Sequence, residues 1–323
     1  MAVIDVFNGD ADGLCALLQL RLADPQSSQL VSGVKRDIAL LDRVDASAGD
    51  CITVLDVSLD KNREGLQKVL AAGAEVFYVD HHFAGEIPDH PKLSTRINTA
   101  ADVCTSLLVN GHLQGAYAEW GVVGAFGDNL RVSAQALAKQ CDLNAAELGR
   151  LESLGIYLNY NGYGASLDDL HFSPVELFAK LLPYSSPLAF MDEGAETFEQ
   201  LESGYHNDMR AAAKLPPVHR SSATAVYVLP NERWARRVSG VYSNDLANAY
   251  VDRAHAVLTE KANGNYLVSI RAPLNNKCGA DEFCRQFPTG GGRAAAAGIN
   301  DLAGDSLDHF CEQFDAFYRA LAG

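Results

Sequence analysis

Short apolar runs alternate with helically spaced segments through the first part of the chain. Val3–Phe7 is rich in β-formers and ends in a Gly/Asp turn. Leu14, Leu17, Leu18 and Leu20 then fall at helical intervals over residues 14–23. Residues 51–57 (CITVLDV) read as a buried strand, residues 66–72 as a helix and residues 75–79 (EVFYV) as a third strand. This β-α-β rhythm predicts a parallel sheet with helices on both faces. A helix is expected over residues 103–108, and the apolar run 122–126 reads as another strand.

Further along, Ser173-Pro174-Val175-Glu176 is a helix start: serine can cap, proline suits the first helical position, and Glu176 completes a capping box. Residues 192–214 are polar and helix-prone, as a connecting helix should be, and Pro216-Pro217 ends them. In the C-terminal part, residues 223–229 read as a strand and 241–250 as a helix. Residues 256–261 and 266–272 flank Asn263-Gly264, a hairpin signal. Gly290-Gly291-Gly292 reads as a glycine-rich loop, and a last helix begins near Leu307. The expected architecture is α/β. A catalytic parallel-sheet domain (1–185) is joined by a helical linker (186–217) to a smaller α/β domain (218–323). The length agrees, because 323 residues exceed what one hydrophobic core usually spans.

Charge narrows the partners. The formal net charge is −15, whereas a protein that grips long nucleic acid normally presents a basic face. A short anionic substrate fits better than a long duplex. The seven cysteines are odd in number and form no CxxC pair, so neither a disulfide framework nor a zinc ribbon is expected and a reducing cytoplasm fits. No uninterrupted apolar run is long enough to span a membrane.

Four polar clusters follow apolar runs: Asn8-Gly9-Asp10-Ala11-Asp12-Gly13, Asp56, Asp80-His81-His82 and Gly127-Asp128-Asn129. Ligands of an open parallel sheet bind at the carboxyl ends of its strands, so these groups should converge. Asp10 and Asp12 would point the same way if the chain stays extended there. Converging carboxylates repel one another unless a cation joins them. Carboxylates with one imidazole suit Mn²⁺ or Mg²⁺, with Co²⁺ also compatible, and this many donors leaves room for two ions sharing a carboxylate. Each aspartate alone is as readily a turn or cap residue.

These motifs together resemble the DHH phosphoesterase family, whose ordered signatures appear here as NGDADG, LDVS, VDHH and GDN. Residues 290–298 (GGGRAAAAG) resemble the glycine-rich signature of the DHH-associated substrate-binding domain. The resemblance implies that Asp10 holds one ion, Asp12 the other, and Asp56 bridges both, while His81 and Asp128 complete the second ion's ligands. His82 would face the scissile phosphate, with Asp80 assigned to catalysis beside it, and Ser106 lies where a small hydroxyl near substrate is common. Two positions depart from the pattern. Val6 stands where many members have histidine, leaving Asn8 as the nearest extra donor to the first ion, and Arg293 stands where histidine is usual. With Arg271, the glycines Gly290, Gly291 and Gly292 and Arg293 are expected to bind a terminal phosphate. Tyr160, Asn161 and Tyr163 read more simply as an aromatic turn than as a base-stacking platform.

The resemblance implies a two-ion phosphodiesterase, of nanoRNase type. It would cut very short 5′-phosphorylated RNA or linear dinucleotides such as pGpG in a cleft between the two domains. A RecJ-type single-strand exonuclease, a bisphosphate nucleotide phosphatase and a non-catalytic nucleotide sensor are the alternatives. Its partners would be the short substrate and, at most, a second copy of the chain, not long duplex DNA or a membrane.

Overall fold

The computed structural model describes residues 1–322, which divide into two compact units, Met1–Ser203 and a second beginning at Gly204. The first is built on five parallel strands: β1 (Val3–Phe7), β2 (Gln29–Val31), β3 (Cys51–Leu55), β4 (Glu75–Asp80) and β5 (Leu93–Ile97), in the order β2-β1-β3-β4-β5. The order turns back between β1 and β3, which opens a crevice at the carboxyl ends of those strands.

Alternation along the strands sorts side chains to two faces. Ile4, Val6, Ile52, Val54, Val76 and Tyr78 pack with Leu66 and Val69 of helix α2 (Arg63–Ala71), whereas helix α1 (Ala11–Ala23) covers the other face. Against α1 pack α3 (Thr105–His112), α4 (Ala118–Gly127), α6 (Ala145–Asn161) and α7 (Pro174–Leu181); α5 (Arg131–Ala138) and α8 (Pro187–Glu193) pack on α4, and α9 (Ala195–Ala212) follows in the chain. The capping box expected at Ser173 and Glu176 starts α7. One polar pair lies deep beneath α1: Asp5 on β1 accepts a two-pronged contact from Arg21 at 2.7 and 2.6 Å.

Two expectations need correction here. Residues 122–126 are not a strand but part of α4, which is buried on every side from Trp120 to Gly127. A helix buried all round has no polar face, so its apolar run looks like a buried strand. Its glycines explain the packing: a methyl at Gly124 would meet Ser106 Oγ at 2.3 Å, and one at Gly127 would meet Ala11 Cβ at 2.3 Å. Nor does the chain stay extended from Asp10 to Asp12, since Asp10 is the N-cap of α1 and Asp12 lies in its first turn.

The second unit is a six-stranded sheet in the order β10-β11-β9-β8-β7-β6, from β6 (His219–Arg220), β7 (Thr224–Leu229), β8 (Ala254–Glu260), β9 (Tyr266–Arg271), β10 (Gly290–Gly292) and β11 (Ala296–Leu302). Helix α10 (Arg233–Ala249) links the parallel pair β7 and β8. The short α11 (Ala280–Cys284) and α12 (Leu307–Ala322) share a core of Phe283, Phe310 and Phe314 with the strands. The hairpin at Asn263-Gly264 joins β8 to β9 as expected, with Gly264 at φ +83°. The three glycines form an edge strand against β11 instead of a loop. Only glycine fits that close approach: a Cβ at Gly290 would lie 1.8 Å from the Cys284 carbonyl oxygen, and one at Gly292 2.5 Å from Ala297 Cα.

Candidate metal centre

Three strand ends and two helix ends deliver the cluster. β1 leads into Asn8 and Asp10, β3 into Asp56, and β4 ends on Asp80 just before His81 and His82; α3 begins at Thr105, and Asp128 caps the C-terminus of α4. Asp56 adopts φ +59°, a left-handed conformation uncommon for residues other than glycine, though aspartate is among those that reach it.

His81 is the hub. Its Nδ1 lies 2.9 Å from the Val103 carbonyl oxygen, which fixes that nitrogen as the donor and leaves Nε2 a lone pair. Nε2 faces Asp56 Oδ1 at 3.4 Å and Asp12 Oδ2 and Asp128 Oδ2 at 3.9 Å each. Donors about 2.1 Å from a shared octahedral ion stand roughly 3.0–4.2 Å apart, and each of the three oxygens lies within that range of Nε2. Among the described residues, the group whose ligand atoms all lie within 4.8 Å of one another is Asp56, His81 and His82.

Asp12 is 1 % exposed and accepts from the backbone N–H groups of Thr105 at 2.8 Å and Ser106 at 2.7 Å, so it holds the start of α3 as well as facing His81. Thr105 Oγ1 donates to Asp56 Oδ1 at 3.1 Å. His82 Nδ1 lies 2.7 Å from Asp80 Oδ1, which orients the ring and leaves Nε2 as its other polar atom. Asp80 Oδ2 is buried with no hydrogen-bond partner among the described residues.

The charges are strained without a cation. Burial, then the charges of Asp12 and Asp10, push the Asp56 carboxyl well above the usual carboxylate range, and His82 only partly offsets them. Burial works against a charged His82, but the hydrogen bond and charge of Asp80 outweigh it and raise its pKa. Burial and Asp12 push the thiols of Cys15 and Cys104 well up, so neither is a ready nucleophile.

One participant carries no sequence signal. Lys35 Nζ bonds Asp10 Oδ2, donates to Asn159 Oδ1 at 3.0 Å, lies 4.0 Å from Asp128 Oδ1 and sits 5.5 Å above the Tyr163 ring. Burial disfavours its charge, yet Asp10, Tyr163 and Asp128 hold the ammonium above the usual lysine range. For Asp10, burial is likewise outweighed by Lys35, and its pKa is lowered.

The other residues singled out from the sequence are placed as follows. Asn8 turns its amide inward: Oδ1 accepts from Asp10 N at 3.2 Å and Nδ2 donates to the Lys35 carbonyl at 3.2 Å. Ser106 is fully buried, with its hydroxyl 3.3 Å from Cys104 Sγ, in the first turn of α3. Tyr160 is buried with its hydroxyl 2.8 Å from His171 Nε2, and Asn161 pins the backbone of His171 and Phe172. In the second unit, Arg271 pairs with Ala296, and the Arg293 N–H donates to the Ala296 carbonyl at 2.9 Å, so both arginines reach one end of the sheet. Arg271 Nε donates to Asn244 Oδ1 at 2.7 Å, Arg293 is exposed, and a Cβ at Gly291 would meet nothing within 4 Å.

No helix among the described residues is long and apolar enough to cross a membrane. No protein-family model matches the chain, and no curated protein sequence matches it. Solved structures do. An exonuclease RecJ bound to manganese matches with a TM-score of 0.62 and 16 % identity, over 98 % of this chain and 90 % of its own. RecJ of Thermus thermophilus in complex with Mn²⁺ matches with a TM-score of 0.63 and 18 % identity over 99 % of this chain, which spans about half of it (52 %). The pGpG-specific phosphodiesterase PggH of Vibrio matches with a TM-score of 0.60 and 16 % identity, over 98 % of this chain and 100 % of its own. At such identities the likeness shows a shared α/β fold.

Proposed function

We propose that the chain is a divalent-metal phosphodiesterase of the DHH family. Its substrates are very short 5′-phosphorylated RNA or linear dinucleotides, pGpG among them, hydrolysed to nucleoside monophosphates. The observation that carries this reading is the convergence on His81 Nε2 of three carboxylate oxygens, from Asp12, Asp56 and Asp128, at 3.4–3.9 Å. Those four residues would hold a Mn²⁺ or Mg²⁺ ion, and the left-handed backbone of Asp56 is accounted for by that task. Such an ion supplies Lewis acidity toward a phosphoryl oxygen and neutralises the carboxylates. His82, oriented by Asp80, would stand beside the reacting phosphate and, when protonated, would stabilise its charge or protonate the leaving oxygen.

Short substrates are favoured by the net charge of −15, which disfavours long polyanions; the fold spans the whole of a pGpG-specific phosphodiesterase and also 90 % of a manganese-bound RecJ exonuclease. Arg271 and Arg293 are the proposed contacts to a substrate phosphate, with Gly291 leaving backbone open beside them.

The test is a hydrolysis panel of 5′-labelled dinucleotides, longer RNA and single-stranded DNA with Mn²⁺, with and without chelator. Dinucleotides should be cleaved fastest, to monophosphates, and chelator should stop it. Faster cleavage of long single strands would mark a RecJ-type exonuclease, and release of inorganic phosphate from a bisphosphate nucleotide would mark a phosphatase. Nucleotide binding without turnover would leave a sensor.

A further inference from the structure

Resting on the metal-centre reading above, we propose that the Lys35 ammonium is a resident cation at Asp10, standing where a second divalent ion would need to bind. The chain then takes one divalent ion, on Asp12, Asp56, His81 and Asp128. The number of carboxylates alone predicts two ions; the arrangement around Lys35 argues for one.

The lysine is held along its length. Its backbone N–H donates to the Gly162 carbonyl at 2.8 Å, and its own carbonyl accepts from Asn8 Nδ2 at 3.2 Å. Its ammonium bonds Asp10 Oδ2 and Asn159 Oδ1, with the Tyr163 ring beneath and Asp128 Oδ1 at 4.0 Å. Loop, first-strand turn and α6 therefore all fix one charge at one place, which a mobile surface lysine would not need.

The donors left for a second ion are few. Asp10 Oδ1 already accepts two backbone N–H groups, from Asp12 at 3.0 Å and Gly13 at 3.1 Å, as the cap of α1. Its Oδ2 is the oxygen that Lys35 holds. Asn8 Oδ1 is turned to the Asp10 N–H, and Val6 is core. A divalent ion needs about six oxygen or nitrogen donors, and one placed at Asp10 would also lie against the ammonium. Asp12 likewise accepts two backbone N–H groups, from Thr105 and Ser106, so the difference between the two places is the cation: Lys35 holds Asp10, whereas among the described residues no lysine or arginine forms an ion pair with Asp12 or Asp56. Unlike a metal, an ammonium is not removed by chelator, and with two of its three N–H groups on Asp10 and Asn159 it keeps one for a phosphoryl oxygen.

The full chain, stripped with chelator, should be titrated with Mn²⁺ by calorimetry, with bound metal counted by elemental analysis and its coupling read by electron paramagnetic resonance. Wild type should bind one Mn²⁺ per chain with the spectrum of an isolated ion. Lys35→Ala should bind two, with an exchange-coupled spectrum. Two ions in wild type, or one in both proteins, would overturn the proposal while leaving metal dependence intact. No bound ion in wild type would instead overturn the metal-centre reading beneath it. Should Lys35→Ala fail to fold by circular dichroism, Lys35→Gln takes its place, and the wild-type count decides by itself.

Discussion

Replacing Asp56 by Asn should stabilise the metal-free protein and remove its stabilisation by manganese. Asp56 Oδ1 and Asp12 Oδ2 lie 3.4 and 3.9 Å from the same imidazole nitrogen, so they are at most about 7 Å apart. At an effective dielectric of about 20, two unit charges at that distance repel by about 2 kcal/mol. Asn keeps the shape, can still accept from Thr105, and tolerates the left-handed backbone better than most residues. The sign of the pH dependence follows from the raised Asp56 pKa. Above the unfolded value of 3.8 and below the raised folded one, the native state holds the extra proton, so wild-type stability falls as pH rises through that window. The Asn variant lacks this loss, and its advantage grows with pH. A gain of about 1–2 kcal/mol corresponds to roughly 2–4 °C per kcal/mol for a unit of this size. Manganese at about a hundredfold its Kd should stabilise wild type by about 2.7 kcal/mol, and the variant by little. Scanning calorimetry at about pH 7.5, with chelator and then with Mn²⁺, should show the order of melting temperatures reverse. A variant that melts lower than wild type in chelator, or that keeps the full manganese shift, would refute the crowded-carboxylate reasoning.

Away from the site, Asp5→Ala leaves the Arg21 guanidinium buried without its two-pronged partner and should destabilise by about 3–5 kcal/mol in urea unfolding; a loss under about 1 kcal/mol would show the pair to be solvated. His255 on β8 is held at a pKa of about 4 by burial and by Arg253, below its ordinary 6.5. The unfolded chain therefore binds more protons between those values, and the stability of the second unit should drop by up to about 3 kcal/mol as pH falls from about 6.5 to 4. His255→Phe should flatten that slope, and an unchanged slope would place its origin elsewhere. Arg293→Ala should raise KM for a dinucleotide about tenfold or more, the worth of one charge-assisted contact, with kcat within about twofold. A collapse of kcat at saturating substrate would assign Arg293 a part in the chemistry.

Much of the frame was legible from local pattern. Strands β1, β3 and β4, the helix start at Ser173, the hairpin at Asn263-Gly264 and the acidic clusters each announce themselves within a few residues, because strand alternation, capping and turn preference are short-range physics. Where burial is complete the pattern falls silent, and α4 reads as a strand because no polar face marks its period. The side-chain directions of Asn8 and Ser106 were equally hidden, since each depends on which donors and acceptors the fold brings near.

The sequence by itself determined that Asp10, Asp56, Asp80 and His81 stand at the ends of strands, where a parallel sheet gathers its ligands, though not that Asp128 ends a helix. Only the tertiary structure decided which of them meet, and that a lysine meets them. Lys35 lies 25 residues from Asp10 and 124 from Asn159 along the chain. It sits in a stretch with no periodicity, and a half-buried charge acquires its meaning from neighbours that only folding supplies.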